Sequence, residues 1–281
     1  MKGTRRYATL GIVIMGLAAL AAAPASAALM TLQDDNSILY VDSDLGMNGW
    51  EVEGVPQLEL QWFWYRVGNT AEASISTLTY DAVKSGATDA NQDGLADVAY
   101  LLYHDALGRF DVEVKVSLDG GPAGSYLSDV AEQITVKNTT AGQTLDFHFF
   151  QYAEFDLGGM ADDDEVVHLG HSPQGKKTFD GEQKDDFWVL QWSEVASKNL
   201  SHVQADVWPN VFGLLTNGAA DSLNDVEQAA GDVEWAYQWD FSLAPGEAFL
   251  LSKDKMITPE PATLALLGSG AALALLLRRR R

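Results

Sequence analysis

Between residues 57 and 257 apolar and polar side chains alternate with a period of two in one short segment after another. They run from "QLELQWFWYRV" (57 to 67) through "ASISTLTYDAV" (73 to 83), "DVAYLLYHDA" (97 to 106), "RFDVEVKVSL" (109 to 118) and "EQITVKNTT" (132 to 140). The series continues with "QTLDFHFFQYAEFDL" (143 to 157), "DDFWVLQWSE" (185 to 194), "VEWAYQWDFSL" (233 to 243) and "EAFLLSKDKMI" (247 to 257). These stretches are rich in β-branched and aromatic residues and are interrupted by Gly, Asn and Asp clusters, so they predict strands. In "RFDVEVKVSL", Phe110, Val112, Val114 and Val116 fall on one face and Arg109, Asp111, Glu113 and Lys115 on the other. Such a strand covers core on one side only. Gly108 in "DALGRF" and Pro245-Gly246 in "LAPGEAF" mark tight turns. The pattern predicts an all-β, antiparallel, jelly-roll-like β-sandwich with little helix inside it.

The two ends break that pattern. "MKGTRRYATLGIVIMGLAALAAAPASA" sets Lys2, Arg5 and Arg6 before an apolar run and ends in Ala25-Ser26-Ala27. This is the layout of a secretory signal helix cut after Ala27. At the other end, Ala262 to Leu277 carries no charge and is followed by four arginines. Its sixteen residues are fewer than the roughly 20 of an ordinary bilayer helix, though they suit a thin membrane. The arginines should stay cytoplasmic, so the preceding region faces outward. The expected division is a signal peptide (1–27), an extracytoplasmic sandwich (28–258) and a tail (259–281) with a hydrophobic transmembrane helix over 262–277.

Pro259-Glu260-Pro261, the apolar run with Gly268 and Gly270, and the terminal arginines resemble the PEP-CTERM sorting signal of Gram-negative bacteria. That resemblance implies Sec-dependent export and recognition by exosortase, a membrane-embedded enzyme that cuts near the PEP motif. It also implies an association with exopolysaccharide production at the cell surface. It covers the tail alone.

Composition narrows the middle. The ends hold seven of the 18 Lys+Arg and one of the 40 Asp+Glu, leaving 11 against 39 and a formal charge of -28. Such a surface repels nucleic acid and anionic lipid and gathers divalent cations. There is no cysteine, so stability must come from the core, with or without a metal. No linker rich in Pro, Ser or Gly and no internal repeat divides residues 28–258.

Four stretches carry candidate chemistry. "DANQDGLAD" places Asp89, Asn91, Asp93, the Leu95 carbonyl and Asp97 at positions one, three, five, seven and nine of a loop, with Gly94 at six. That spacing suits a structural Ca²⁺ and resembles dockerin loops, except that Tyr100 replaces the closing Glu at position twelve. A polar hairpin loop built from Asx-turns is the alternative. In "DFHFFQYAEFDLGG", Glu154-x-Asp156 resembles laminarinase-like glycosidases, but Gly158 and Gly159 stand where a further same-face Glu is needed. His168 and His171 flank Gly170, where helical metal-binding spacing does not apply, and the acidic run 162–165 reads as a solvated loop. The pairs Trp62/Trp64, Trp188/Trp192 and Trp235/Trp239 each share a strand face, as sugar-stacking platforms or, more commonly, as core. The sequence therefore points to an exported, non-enzymatic cell-surface protein, with a carbohydrate-binding module and then a glycoside hydrolase as the alternatives.

Overall fold

The computed structural model describes residues 28–171, 179–185, 189–195 and 200–259. In chain order its strands are β1 (Leu29–Asp34), β2 (Ser37–Asp42), β3 (Gly46–Val52), β4 (Val55–Leu58), β5 (Leu60–Val67), β6 (Ala73–Ser74) and β7 (Thr79–Tyr80). Then come β8 (Gly86–Thr88), β9 (Val98–His104), β10 (Phe110–Gly120), β11 (Ser128–Asn138), β12 (Leu145–Glu154) and β13 (Asp164–His171). The last are β14 (Phe179–Lys184), β15 (Val189–Val195), β16 (His202–Val207), β17 (Ala229–Gly231), β18 (Val233–Leu243) and β19 (Ala248–Pro259). One α-helix, α1 (Asn210–Thr216), lies between β16 and β17.

The strands form two antiparallel sheets. The first has nine strands along the order β1-β2-β3-β5-β12-β18-β16, and the second has ten along β17-β13-β14-β15-β19-β11-β10-β9-β7. The sandwich expected from the alternation is therefore present. Both sheets are larger than those of an eight-stranded jelly roll. Among the described residues no helix is long and apolar enough to cross a membrane. The expected terminal helices, Ala27, Glu260 and Pro261 lie outside the described residues.

The inner faces meet in an aromatic core. Phe110 of the second sheet lies edge-on to Tyr65 and Phe147 of the first, with centroids 5.3 and 5.1 Å away, and Phe241 stacks on Phe249 at 3.9 Å. Buried polar tips find partners across the gap: Trp50 Nε1 donates to Ser128 Oγ at 3.1 Å and Trp235 Nε1 to Gln183 Oε1 at 3.0 Å. Trp62, Trp64, Trp235 and Trp239 are all buried, so those two pairs are packing residues. Trp188 lies outside the described residues, as does the side chain of Trp192.

The outer face of the first sheet is also covered. Alternation turns Glu234 and Gln238 of β18 and Gln204 of β16 outward, and they hold the backbone of residues 211–224. The Glu234 carboxylate accepts from Val211 N–H and Phe212 N–H, Gln238 Oε1 from Leu223 N–H at 2.9 Å, and Gln204 Oε1 from Asn224 N–H at 3.2 Å. The buried pair Arg66–Glu72, 2.9 Å apart, adds two more links. Glu72 accepts from Asp221 N–H at 2.9 Å, and Arg66 donates to the Asp221 carbonyl at 3.0 Å. Polar residues at outward positions thus dock a covering segment that has few strand hydrogen bonds of its own.

Phe110 contacts both sheets and is fully buried, so Phe110→Ala should destabilise the protein by about 3–5 kcal/mol. Urea unfolding should show this as a lower midpoint at unchanged slope.

Candidate functional site

In β5 and β12 the residues opposite to the core-facing set are Trp62, Trp64, Tyr152 and Glu154. A groove of about 850 Å³ lies against Trp62, Trp64 and Glu154, between α1 and the β2–β3 turn. Trp62 and Trp64 line its floor, Phe212 and Leu215 one wall, and Trp208, which is 49% exposed, its rim. Glu59 and Glu154 lie at one end, where Glu59 N–H donates to the Glu154 carbonyl at 3.0 Å, and Glu72 lies towards the other. Trp64, Tyr152 and Phe212 pack edge to face beneath, with centroids 5.5–6.0 Å apart.

Register creates the site's electrostatics. Glu154 stands directly opposite Glu234 on β18, and like charges so placed repel. The Tyr152 hydroxyl lies between them, 2.9 Å from Glu154 Oε2 and 2.7 Å from Glu234 Oε2. A phenol has one proton, so it can donate to only one of the two carboxyls; the other must be protonated and donate to the phenol oxygen. Burial raises Glu234, but two backbone N–H groups from α1 donate to it and work against that rise. Glu154 lacks such donors. Burial, with Asp156, Glu234 and Asp232 nearby, pushes it up to about 7. Glu154 therefore holds the proton at this end of the groove.

Burial also raises Asp156, with Glu59, Asp232 and Asp162 adding to the effect, and raises Asp232, with Asp162 adding. Asp164 is pushed up to about 8 by burial, although Leu157 N–H and Gln183 Nε2 donate to it at 3.1 and 2.9 Å. The run 162–165 is thus not wholly a solvated loop, since Asp164 enters the interior at the start of β13. Glu59 and Asp232 thus lie near enough to raise Asp156, and Glu234 stands opposite Glu154, all from segments distant in sequence; of these three, Glu59 lines the groove. No local spacing reveals this. The one usable signal was the outward parity of Glu234 in "VEWAYQWDF".

The other candidates stand apart. Asp89, Asn91, Asp93 and Leu95 are exposed in the β8–β9 loop and Asp97 is buried at its end. Asp89 accepts from Gln92 and Gly94 N–H, Asn91 from Asp93 N–H, Asp93 from Leu95 N–H, and Asp97 from Ala90 and Asn91 N–H, all between 2.6 and 3.2 Å. Gly94 has φ +99, a value that favours glycine. Among the described residues no three His, Asp or Glu side chains form a group able to hold a metal ion. His168 meets Asp180, 3.3 Å away, and the side chain of His171 is outside the described residues.

The PEP-CTERM protein-sorting motif matches residues 258–281. The molecule is a β-sandwich PEP-CTERM protein: exported, transiently anchored in the membrane by its tail, and processed by exosortase. No curated protein matches it in sequence. Among solved structures, it is similar to a bacterial glucoamylase complexed with acarbose, with TM-score 0.54 and 9% identity over 85% of this chain and 33% of that one. A kojibiose phosphorylase of the human microbiome matches at TM-score 0.45 and 6% identity, over 82% of this chain and 30% of that one. The chain spans about a third of the length of these structures. The expectation of a non-enzymatic protein is not supported by the likeness to the glucoamylase. The fold is shared with part of that glucoamylase.

Glu154 in the folded state titrates above its ordinary 4.5, near 7. Its stabilising contribution is complete below about 4.5 and is lost as pH rises through 7. Comparing urea stability of wild type and Glu154→Gln cancels the other titrating groups. The wild type should lose stability relative to the variant between pH 5 and pH 8.

Proposed function

We propose that the exported protein binds a saccharide chain in the groove beside α1 and acts at the cell envelope. The observation that carries this reading is the groove's composition: an exposed indole, Trp208, beside acidic side chains that can accept sugar hydroxyls. Aromatic faces stack on the apolar faces of sugar rings while carboxylates orient the ring by hydrogen bonds. The glucoamylase whose fold is similar was solved with acarbose bound, which is in keeping with this ligand class. Exopolysaccharide is the proposed natural ligand.

One observation favours a second step, cleavage of the bound chain. A glycosidase needs one protonated carboxyl to serve the leaving oxygen and one ionised partner across the bond. Glu154, which titrates near 7, fits the acid, and Glu59 is a second carboxyl-bearing residue lining the same groove. Titration with polysaccharide should change Trp fluorescence, and Trp208→Ala should abolish that change with stability altered by less than about 0.5 kcal/mol. If the chain is cut, reducing ends should accumulate with a rate that falls above pH 7, and Glu154→Gln should stop their release while leaving binding intact. Binding without release would leave the protein a saccharide-binding one; loss of neither signal in the variants would remove the groove from the function.

The "DANQDGLAD" loop is proposed as a structural calcium loop, because Asp89, Asn91 and Asp93 keep unused oxygen lone pairs at the exposed turn. Binding to the native state alone stabilises it by about 2.7 kcal/mol at a hundredfold excess over Kd. At high ionic strength, millimolar Ca²⁺ should raise Tm more than Mg²⁺ does. Asp93→Ala should erase most of the rise and Glu227→Ala, at a distant exposed site, should not. Equal shifts for both ions and both variants would leave the loop a plain turn.

A further inference from the structure

Inward positions of β19 are not all apolar. Its alternation sends Phe249, Leu251, Lys253, Lys255 and Ile257 into the core, with both lysines 1% exposed. Register places Lys253 directly opposite Glu132 of β11, itself 2% exposed. The Glu132 carboxylate touches Lys253 Nζ and lies 3.5 Å from Lys255 Nζ. From the facing sheet, Gln61 Nε2 donates to Glu132 Oε1 at 2.5 Å. Aromatic rings close the site: Phe63 lies 5.5 Å from Lys253 Nζ and Phe155 5.9 Å from Lys255 Nζ.

Two ammonium groups on one carboxylate would leave a net positive charge in this interior, at a cost of several kcal/mol. Burial accordingly pulls both lysines well below the usual range, and Lys255 pushes Lys253 further the same way. A proton passed from Lys253 to Glu132 removes both of their charges and leaves a free amine held against a carboxylic acid. Amine and acid so fixed have effective molarities of about 10⁵–10⁸ M. That is enough to drive a condensation which does not proceed between free molecules in water.

We propose that Lys253 and Glu132 are joined by an intramolecular isopeptide bond. The Lys253 Nζ lone pair attacks Glu132 Cδ, and the developing charge on Oε1 is met by the Gln61 amide. One Nζ proton passes to the Oε2 hydroxyl, which leaves as water as the carbonyl re-forms. The ammonium and carboxylate of the starting pair thus become one amide and one water, and no oxidant or cofactor is consumed. The product is a neutral group in a neutral core. The bond lies on the strand that runs directly into the sorting motif at Pro259. Tension on the tail would peel β19 from its neighbours beginning at that end, and the cross-link would stop the peeling at Lys253.

Intact-mass measurement of the purified protein, set against the sequence between its observed termini, tests this directly. The expected result is a deficit of one water, with tandem spectra of a digest giving one branched peptide that contains Glu132 and Lys253 and no tryptic cut at Lys253. Lys253→Met, which keeps an unbranched chain without the amine, should have its full sequence mass. A wild-type protein of full mass, cut by trypsin at Lys253 after unfolding, would overturn the proposal. So would a deficit of one ammonia with Gln61 in the branch, or a water deficit that persists in Lys253→Met, since either places the bond elsewhere.

Discussion

The antiparallel pairing of β12 with β18 sets both the core and the groove. On the inner face it aligns Phe147 with Phe241, Phe149 with Trp239 and Ala153 with Trp235, an aromatic layer that buries most of the two strands. On the outer face the same register sets Glu154 against Glu234. A slip by one residue would exchange the two faces, so the packing energy of the rings enforces a juxtaposition of acids that electrostatics alone would oppose. Tyr152, one strand position removed from the core-facing Ala153, supplies the hydroxyl that lets the acids share a proton.

The outward side chains of this sheet then act as anchors for the covering segment. Glu234, Gln238, Gln204 and the Arg66–Glu72 pair satisfy backbone groups between Val211 and Asn224. An open sheet face thereby becomes one wall of a groove. Glu234 is the junction of the two roles. The first N–H groups of α1 offset part of the burial that raises Glu234, and Glu154 has no such donors to offset its own. Placement of the helix and protonation of the groove are therefore one equilibrium, and loss of α1 would alter both.

Strand faces were legible in the sequence because period-two alternation depends only on local geometry. Phe110, Val112, Val114 and Val116 are all buried as "RFDVEVKVSL" requires, and Gly94, Gly108 and Gly246 all have positive φ in their turns. The groove was not legible. Its acids come from segments as far apart as Asp44 and Glu154, and only strand order brings them together. The pairs Trp62/Trp64 and Trp235/Trp239 are buried, as is common for such pairs, but shared parity fixes only a common face and says nothing of what covers it. Trp62 and Trp64 point away from the core and are buried all the same beneath the 3-10 turn at Ile75–Thr77 and α1. The exposed indole on the groove's rim, Trp208, lies in no strand and has no partner of like parity.

"FLLSKDKMI" shows where composition and parity conflict. Lysine at a core position is read from composition as a surface residue, and parity alone would have placed Lys253 and Lys255 inside with Leu251 and Ile257. Parity wins because β19 is paired along its length with β11 on one side and with β15 over its second half, and shifting it would bury Asp254 and Met256 and expose Phe249, Leu251 and Ile257. Ladder hydrogen bonds and apolar burial outweigh the desolvation of two amines, provided those amines give up their charge. Neutrality can be reached by proton transfer or by a covalent bond, and only the second cannot be reversed by a momentary opening of the strand end. A protein in which β19 runs into the segment by which it is sorted has a physical reason to take the second route.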